Sequence, residues 1–213
     1  MRDTEVCGRR VRQSRACLGL CAWMIAAVLS LCVRVAAAIE IDQVPIPKRS
    51  ASGLHLTAVE SAQMKERLGN KVLFIDIRTR AEVMYLGMPT VVDFNVPFLD
   101  FPEVWEWSDQ SNEFVLMSNT RFVPAIEQRL TRVGLGKDDP IILICRSGVR
   151  SNHAAGLLAS RGFSKVYTVI DGYEGDTAKD GERKGQRTVN GWKNAGLPWS
   201  YRLVKEKMYL DDF

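Results

Sequence analysis

Cysteine and histidine are nearly missing from most of this chain. The 213 residues include five cysteines and two histidines, and four of the cysteines lie within residues 1–38. Cys145 is therefore the only cysteine in the rest of the sequence. A single cysteine cannot form an internal disulfide, and one cysteine with two histidines is not a credible set of metal ligands. The composition excludes a disulfide-stabilised scaffold, and we predict no metal and no cofactor.

An excess of positive charge is also missing once residues 1–38 are set aside. The whole chain has a formal net charge of +4, but residues 1–38 hold six arginines against two acidic residues. The remainder holds 23 basic and 23 acidic residues. A nucleic-acid-binding domain needs a basic face on its folded surface. The sequence therefore gives no support for a nucleic-acid partner.

Residues 1–38 have the three-part pattern of a secretory signal peptide. Several arginines come first, an uncharged and mostly apolar run extends from Ala16 to Val33, and three small residues end the segment at Ala38. We predict cleavage after Ala38 and export, to the periplasm in a bacterium, with no membrane contact after cleavage. The alternative is an uncleaved membrane anchor, because the apolar run approaches the length that spans a bilayer.

The mature chain is predicted to hold an irregular lead-in at 39–53, one domain at 54–200 and a tail at 201–213. Strand and helix patterns alternate through the domain. Apolar runs predict strands at 72–77, 90–96, 141–144 and 166–170. Buried strands that alternate with helices predict an α/β fold, with a central, mostly parallel sheet flanked by helices on both faces.

Two segments look like insertions into this domain. Residues 98–120 are rich in aromatic and acidic residues, and residues 174–191 are rich in glycine and charge. The second is expected to be a flexible surface excursion. Two alternatives are open for the first. It lies over the edge of the active site, where its rings restrict which acceptors enter, or it is a loop packed by its own aromatic side chains.

The strongest signal is the join between the strand at 141–144 and the helix predicted from Ser151 to Arg161. The strand ends on Cys145, and a loop with one glycine and two arginines follows. Backbone N–H groups of such a turn, with the helix N-terminus, are predicted to surround the sulfur. They would stabilise the thiolate and any anion built on it. Arg146 and Arg150 are predicted to add positive charge for an anionic donor.

The spacing of this loop separates two chemistries. Phosphatases and arsenate reductases hold a tetrahedral oxyanion with a cysteine, five residues and then an arginine. Here Ser151 occupies that arginine position, and Arg150 comes one residue too early. The shorter loop favours sulfur transfer through a cysteine persulfide, which is a two-step covalent mechanism. Phosphatase activity is the weaker alternative.

The segment Cys-Arg-Ser-Gly-Val-Arg-Ser at 145–151 resembles the active-site loop of rhodanese-homology sulfurtransferases. The resemblance covers about residues 54–200, and further matching segments occur in the expected order at 74–78, 95–97, 162–172 and 196–199. Gly87-Met88 departs from the family's Gly-His. The resemblance implies a rhodanese-like fold, a catalytic Cys145, and a persulfide-binding and anion-binding loop made of Arg146, Ser147, Gly148, Val149, Arg150 and Ser151. It also implies that Asp76 and Arg78 form a supporting pair.

The predicted function is sulfur transfer from thiosulfate or a related small anionic donor, through a Cys145 persulfide, to cyanide or a thiol or protein acceptor. The alternative, from a different class, is a non-enzymatic sulfur carrier or redox-accessory module that turns over poorly. His153 could act as a base for Cys145. We favour a surface or packing role for it, because its position directs it away from the strand end.

Overall fold

The computed structural model describes residue 39 and residues 41–210. The predicted signal peptide and its cleavage site lie outside these residues. The described helices are α1 (Ala58–Leu68), α2 (Arg80–Leu86), α3 (Phe122–Arg132) and α4 (Val149–Ser160). The strands are β1 (His55–Leu56), β2 (Leu73–Asp76), β3 (Met88–Pro89), β4 (Phe94–Asn95), β5 (Leu99–Asp100), β6 (Trp107–Ser108), β7 (Glu113–Phe114), β8 (Met117–Ser118), β9 (Ile141–Ile144), β10 (Val166–Val169) and β11 (Trp199–Ser200). Within this described part, no helix is long and apolar enough to cross a bilayer.

A five-stranded sheet forms the centre of the domain, in the order β1-β10-β9-β2-β4. Every neighbouring pair in it is parallel. The predicted α/β fold with a parallel sheet is confirmed. Strand β9 is the middle strand, so the residue that follows it emerges between the ends of β2 and β10. This edge of a parallel sheet is where α/β proteins place their ligands.

Helices cover both faces of the sheet, as predicted. Side chains alternate between the faces of a strand, so each strand supplies both hydrophobic layers. One layer joins α3 and α4 to the sheet and contains Ile75, Ile141, Leu143 and Cys145. The other joins α1 and α2 to the opposite face and contains Phe74, Ile142 and Ile144. The Cys145 side chain therefore lies on the face of the sheet that packs against α3 and α4.

The strand predicted at 90–96 is much shorter in the structure. Only Phe94 and Asn95 pair with β2, as strand β4. The chain turns at 90–92, where the Val92 N–H donates to the carbonyl of Pro89. Pro89 itself belongs to β3, which pairs antiparallel with β11 near the C-terminus. An apolar run is compatible with a turn, and this turn is set by a distant part of the chain.

The two predicted insertions contain regular structure of their own. The 98–120 segment folds as two antiparallel ribbons, one of β5 with β8 and one of β6 with β7. The 174–191 segment contains an antiparallel bridge between Thr177 and Arg187. Its Asp176 forms an ion pair with Lys48 of the lead-in at 2.7 Å.

Candidate active site

The loop after β9 turns directly into α4. The helix begins at Val149, two residues before the predicted start, so Arg150 and Ser151 lie in its first turn. Gly148 caps the helix with a φ of 94°, a left-handed conformation that glycine adopts without strain. The left-handed residue lets the backbone enter the helix immediately, which explains the earlier start.

The Cys145 sulfur lies inside this turn. The Gly148 N–H donates to Sγ at 3.1 Å, and the Ser151 Oγ is 3.5 Å from Sγ. The Ser151 hydroxyl also donates to the Gly148 carbonyl at 2.9 Å. Cys145 is only 1% exposed. The N-terminus of a helix and a backbone N–H that points at a group both favour negative charge on that group.

The loop is fixed against the chain that follows β10. The Tyr173 N–H donates to the Cys145 carbonyl at 2.8 Å, and the Glu174 N–H donates to the Arg146 carbonyl at 3.0 Å. The two segments approach so closely that glycine is required. A Cβ on Gly148 would lie 2.2 Å from the Ile170 carbonyl oxygen, and one on Gly172 would lie 2.5 Å from the Ser147 nitrogen. Glycines on both segments therefore allow the loop to take its shape.

Arg150 forms a two-pronged ion pair with Glu82 of α2. Its Nη1 and Nη2 lie 2.7 and 2.6 Å from the two carboxylate oxygens. Burial alone would raise the pKa of Glu82, but the hydrogen bonds and charge of Arg150 outweigh it and lower that pKa. The same pairing raises the pKa of Arg150 in spite of its burial. This pair joins α4 to α2.

Arg146 is also paired. Its Nε lies 2.6 Å from a carboxylate oxygen of Glu174, and its side chain is 45% exposed. Both arginines that the sequence predicts as free charge for an anionic donor are therefore neutralised by glutamates. The remaining positive potential at the sulfur comes from the backbone N–H of Gly148 and the N-terminus of α4.

Asp76 and Arg78 form a second buried pair at the end of β2. The Arg78 Nε lies 2.9 and 3.1 Å from the two Asp76 oxygens, and its Nη2 donates to the Gly87 carbonyl at 2.8 Å. The guanidinium lies 3.8 Å from the ring centroid of Tyr173, whose N–H holds the Cys145 carbonyl. The pair thus supports the segment on which the loop rests, without a hydrogen bond to the sulfur.

A cavity of about 720 Å³ opens in front of the loop. Arg146, Ser147, Val149 and Arg150 line one side, with Thr79 and Glu82 beside them. The 98–120 segment forms the facing wall with Leu99, Phe101, Trp107, Phe114 and Leu116. The rings also pack on one another, with Phe101 stacked on Trp105 at 4.1 Å and Trp107 edge-on to Phe114 at 5.3 Å. The segment is thus both a self-packed loop and a wall of the cavity.

Glu82 and Arg187 line the cavity but were not among the predicted site residues. Glu82 had a local signal, since it is the fourth residue of the Thr-x-x-Glu capping box that begins at Thr79. Arg187, from the 174–191 segment, had none. Of the two histidines, His153 is exposed on α4, and the buried His55 accepts the Ser50 N–H through Nε2 at 2.9 Å. Neither hydrogen-bonds to the sulfur, and no cluster suited to a metal ion occurs among the described residues.

Comparison with known proteins agrees with this geometry. A family model described as a rhodanese-like domain matches residues 60–179. An uncharacterised protein of Rickettsia prowazekii is 28% identical over 135 residues, which are 63% of this chain and 87% of the relative. A crystal structure of Rv0390 from M. tuberculosis superposes with a TM-score of 0.52 at 26% identity, and covers 70% of this chain and 97% of Rv0390. A thiosulfate sulfurtransferase, GlpE of Actinobacillus succinogenes, is 36% identical over 61 residues, which are 29% of this chain and 40% of GlpE.

The fold and the loop define the class: an α/β domain with a cysteine at the end of the middle parallel strand and a glycine-capped helix after it. The chain belongs to the rhodanese-like domain family. Its relatives include sulfurtransferases.

Proposed function

We propose that the protein is a sulfurtransferase that carries sulfane sulfur on Cys145. The observation that carries the proposal is the position of Sγ, which accepts the Gly148 N–H at the N-terminus of α4. The same donor that stabilises the thiolate also stabilises a persulfide anion built on it. The similarity to GlpE, whose name states thiosulfate sulfurtransferase, supports thiosulfate as a donor.

The reaction has two steps. The Cys145 thiolate attacks the outer sulfur of thiosulfate, the sulfur–sulfur bond of thiosulfate breaks, and sulfite leaves with the bonding electron pair. Cys145 then carries one additional sulfur atom as a persulfide. An acceptor such as cyanide, a thiolate or a protein cysteine attacks that outer sulfur, and the electron pair returns to the Cys145 thiolate.

The test is to expose the full chain to thiosulfate and map its peptides by mass spectrometry. We expect one added sulfur atom on Cys145, no adduct on the cysteines of residues 1–38, and thiocyanate formation when cyanide is supplied. Cys145→Ser should lose both the adduct and the thiocyanate. Sulfur transfer that survives in Cys145→Ser would rule the proposal out.

The burial of Cys145 favours a second candidate, a sulfur carrier or redox-accessory module with poor turnover. Because the Cys145 side chain is only 1% exposed, only a slender sulfur donor can reach it, and the exchange of sulfur with donors and acceptors is slowed. A normal persulfide adduct, together with negligible thiocyanate formation and a stable protein partner in a pull-down, would favour this carrier over the enzyme.

We also propose that the protein is exported, on the basis of the pattern in residues 1–38. Sequencing the N-terminus of the protein isolated from its native cell tests this. A mature chain that begins at Ile39 supports cleavage after Ala38, whereas an intact Met1 terminus on a membrane-associated protein supports the anchored alternative.

A further inference from the structure

The cavity lined by the loop that follows Cys145 is larger and more varied than a small inorganic donor needs. At about 720 Å³ it falls in the range that holds organic ligands of moderate size. Thiosulfate is a strongly hydrated dianion, so an apolar wall adds nothing to its binding. The aromatic wall must therefore serve a different substrate, and the second substrate of a sulfurtransferase is the acceptor.

The wall presents preformed aromatic surface. Trp107 and Phe114 lie on the β6–β7 ribbon and remain 53% and 46% exposed, although both face the cavity. Phe114 is also edge-on to Trp105 at 5.2 Å, which braces the ribbon from behind. Exposed rings held in place by neighbouring rings bind a flat or apolar group with little loss of side-chain entropy.

Arg187 supplies a charge at the same cavity. Its Nη1 donates to the Gly175 carbonyl at 2.7 Å, which positions the guanidinium. Within residues 41–210 no carboxylate forms an ion pair with it, in contrast to Arg146 and Arg150. The wall also contains Glu113, but that side chain is exposed and its charge is screened by solvent. A positioned arginine with free donors suits a carboxylate.

We propose that the acceptor is a small organic thiol with an aromatic-sized apolar body and a carboxylate. This inference rests on the proposed sulfurtransferase function. The body packs against Trp107 and Phe114, and the carboxylate binds Arg187. The acceptor thiolate attacks the outer sulfur of the Cys145 persulfide, the sulfur–sulfur bond breaks, and the electron pair returns to the Cys145 thiolate. The acceptor leaves as an organic persulfide anion that carries the transferred sulfur.

Four alkyl thiols distinguish the contribution of the aromatic wall from that of Arg187. They are 4-(mercaptomethyl)benzoate with ring and carboxylate, phenylmethanethiol with the ring alone, 3-mercaptopropionate with the carboxylate alone, and 2-mercaptoethanol with neither. The measurement is kcat/KM for persulfide formation on each thiol, with thiosulfate as donor. Each variant is expressed relative to the wild type for the same thiol, so that differences in intrinsic thiol reactivity cancel.

Wild-type protein should prefer 4-(mercaptomethyl)benzoate. Trp107→Ala should lower kcat/KM several-fold for the two ring-containing thiols only, with Phe114→Leu as a second variant of the same wall. Arg187→Gln should lower kcat/KM about tenfold for the two thiols that carry a carboxylate, and for no other thiol. The control is Arg183→Gln, which changes an exposed arginine of the same segment that does not line the cavity and should alter none of the four rates.

Loading of Cys145 is measured in every variant by mass spectrometry. Normal loading with equal effects on all four thiols, or with no effect at all, would overturn the acceptor class and point to a protein acceptor instead. Failure of the wild type to load would overturn the sulfurtransferase proposal itself, and the acceptor with it. Thermal melting of each variant tests whether the substitution leaves the fold intact.

Discussion

Among individual residues, Gly148 has the most restricted position in the site. It caps α4, donates its N–H to the Cys145 sulfur and lies against the Ile170 carbonyl. Gly148→Ala would bring a Cβ to 2.2 Å from that oxygen, at a φ of 94°. We expect lower stability and strongly reduced loading of Cys145, because the loop must move away from Ile170 to relieve the clash.

Gly181→Ala is the matched control for this substitution. Gly181 also has a positive φ of 69°, but a Cβ there meets nothing within 4 Å. Gly181→Ala should lower the free energy of unfolding by only about 1 kcal/mol, which is the cost of placing alanine at a positive φ. Loading of Cys145 should stay normal. Urea denaturation and mass spectrometry give the two readouts. Equal effects of the two substitutions would show that the close approach to Ile170 is unimportant.

Among the elements, α1 and α2 begin with the same capping box but differ in their relation to the site. Thr57 accepts the Glu60 N–H at the start of α1, and Thr79 accepts the Glu82 N–H at the start of α2. Thr57→Ala and Thr79→Ala should each lower the free energy of unfolding by about 1 kcal/mol. Only Thr79→Ala should also slow sulfur transfer, because it loosens the helix that holds Glu82 against Arg150.

Urea denaturation and thiocyanate formation distinguish the two caps. An activity loss in Thr57→Ala as large as in Thr79→Ala would mean that general destabilisation, and not the position of Glu82, controls the rate.

Local signals explain which elements the sequence could predict. Each capping box and the apolar run of β9 consist of a few consecutive residues. The elements α1, α2 and β9 can therefore be predicted from local sequence. The turn at 90–92 is decided by pairing between Pro89 and Trp199, more than a hundred residues apart, and a local pattern does not contain that information.

The site also has a part that local sequence predicts and a part that it does not. The sulfur, the glycine turn and the arginines are contiguous at 145–151. The partners of those arginines are not: Glu82 is 68 residues from Arg150, and Glu174 is 28 residues from Arg146. The loop could therefore be predicted, but the neutralisation of its charge and the contribution of Arg187 required the fold.

At the scale of the whole molecule, two half-buried carboxyl groups, Glu82 and Asp171, give stability opposite dependences on pH. The Arg150 pair lowers the pKa of Glu82 below its ordinary 4.5, although burial works against this. The contribution of Glu82 to the free energy of unfolding is complete above pH 4.5 and is lost as the pH falls through the lowered pKa. Burial raises the pKa of Asp171 above its ordinary 3.8, so its contribution is complete at low pH and is lost as the pH rises through the raised pKa.

Glu82→Gln and Asp171→Asn test this balance with substitutions of nearly equal shape. Glu82→Gln should be about 2 kcal/mol less stable than the wild type at neutral pH, because Arg150 loses its counter-charge. The gap should close as the pH falls below 4.5. Asp171→Asn should gain stability relative to the wild type as the pH rises from 3.8. Urea denaturation across this range gives both curves, and two differences that move in the same direction would contradict the assignment.

The middle position of β9 also determines when the surroundings of the Cys145 sulfur are complete. Strand β9 pairs on one side with β2, far earlier in the chain, and on the other with β10, and the turn around Gly148 closes only against the segment after β10. Such long-range parallel pairings form late in folding. A partly folded chain therefore has the cysteine but not the Gly148 N–H that donates to its sulfur. The rate at which thiosulfate loads Cys145 during refolding should report the last event of folding, not the first collapse.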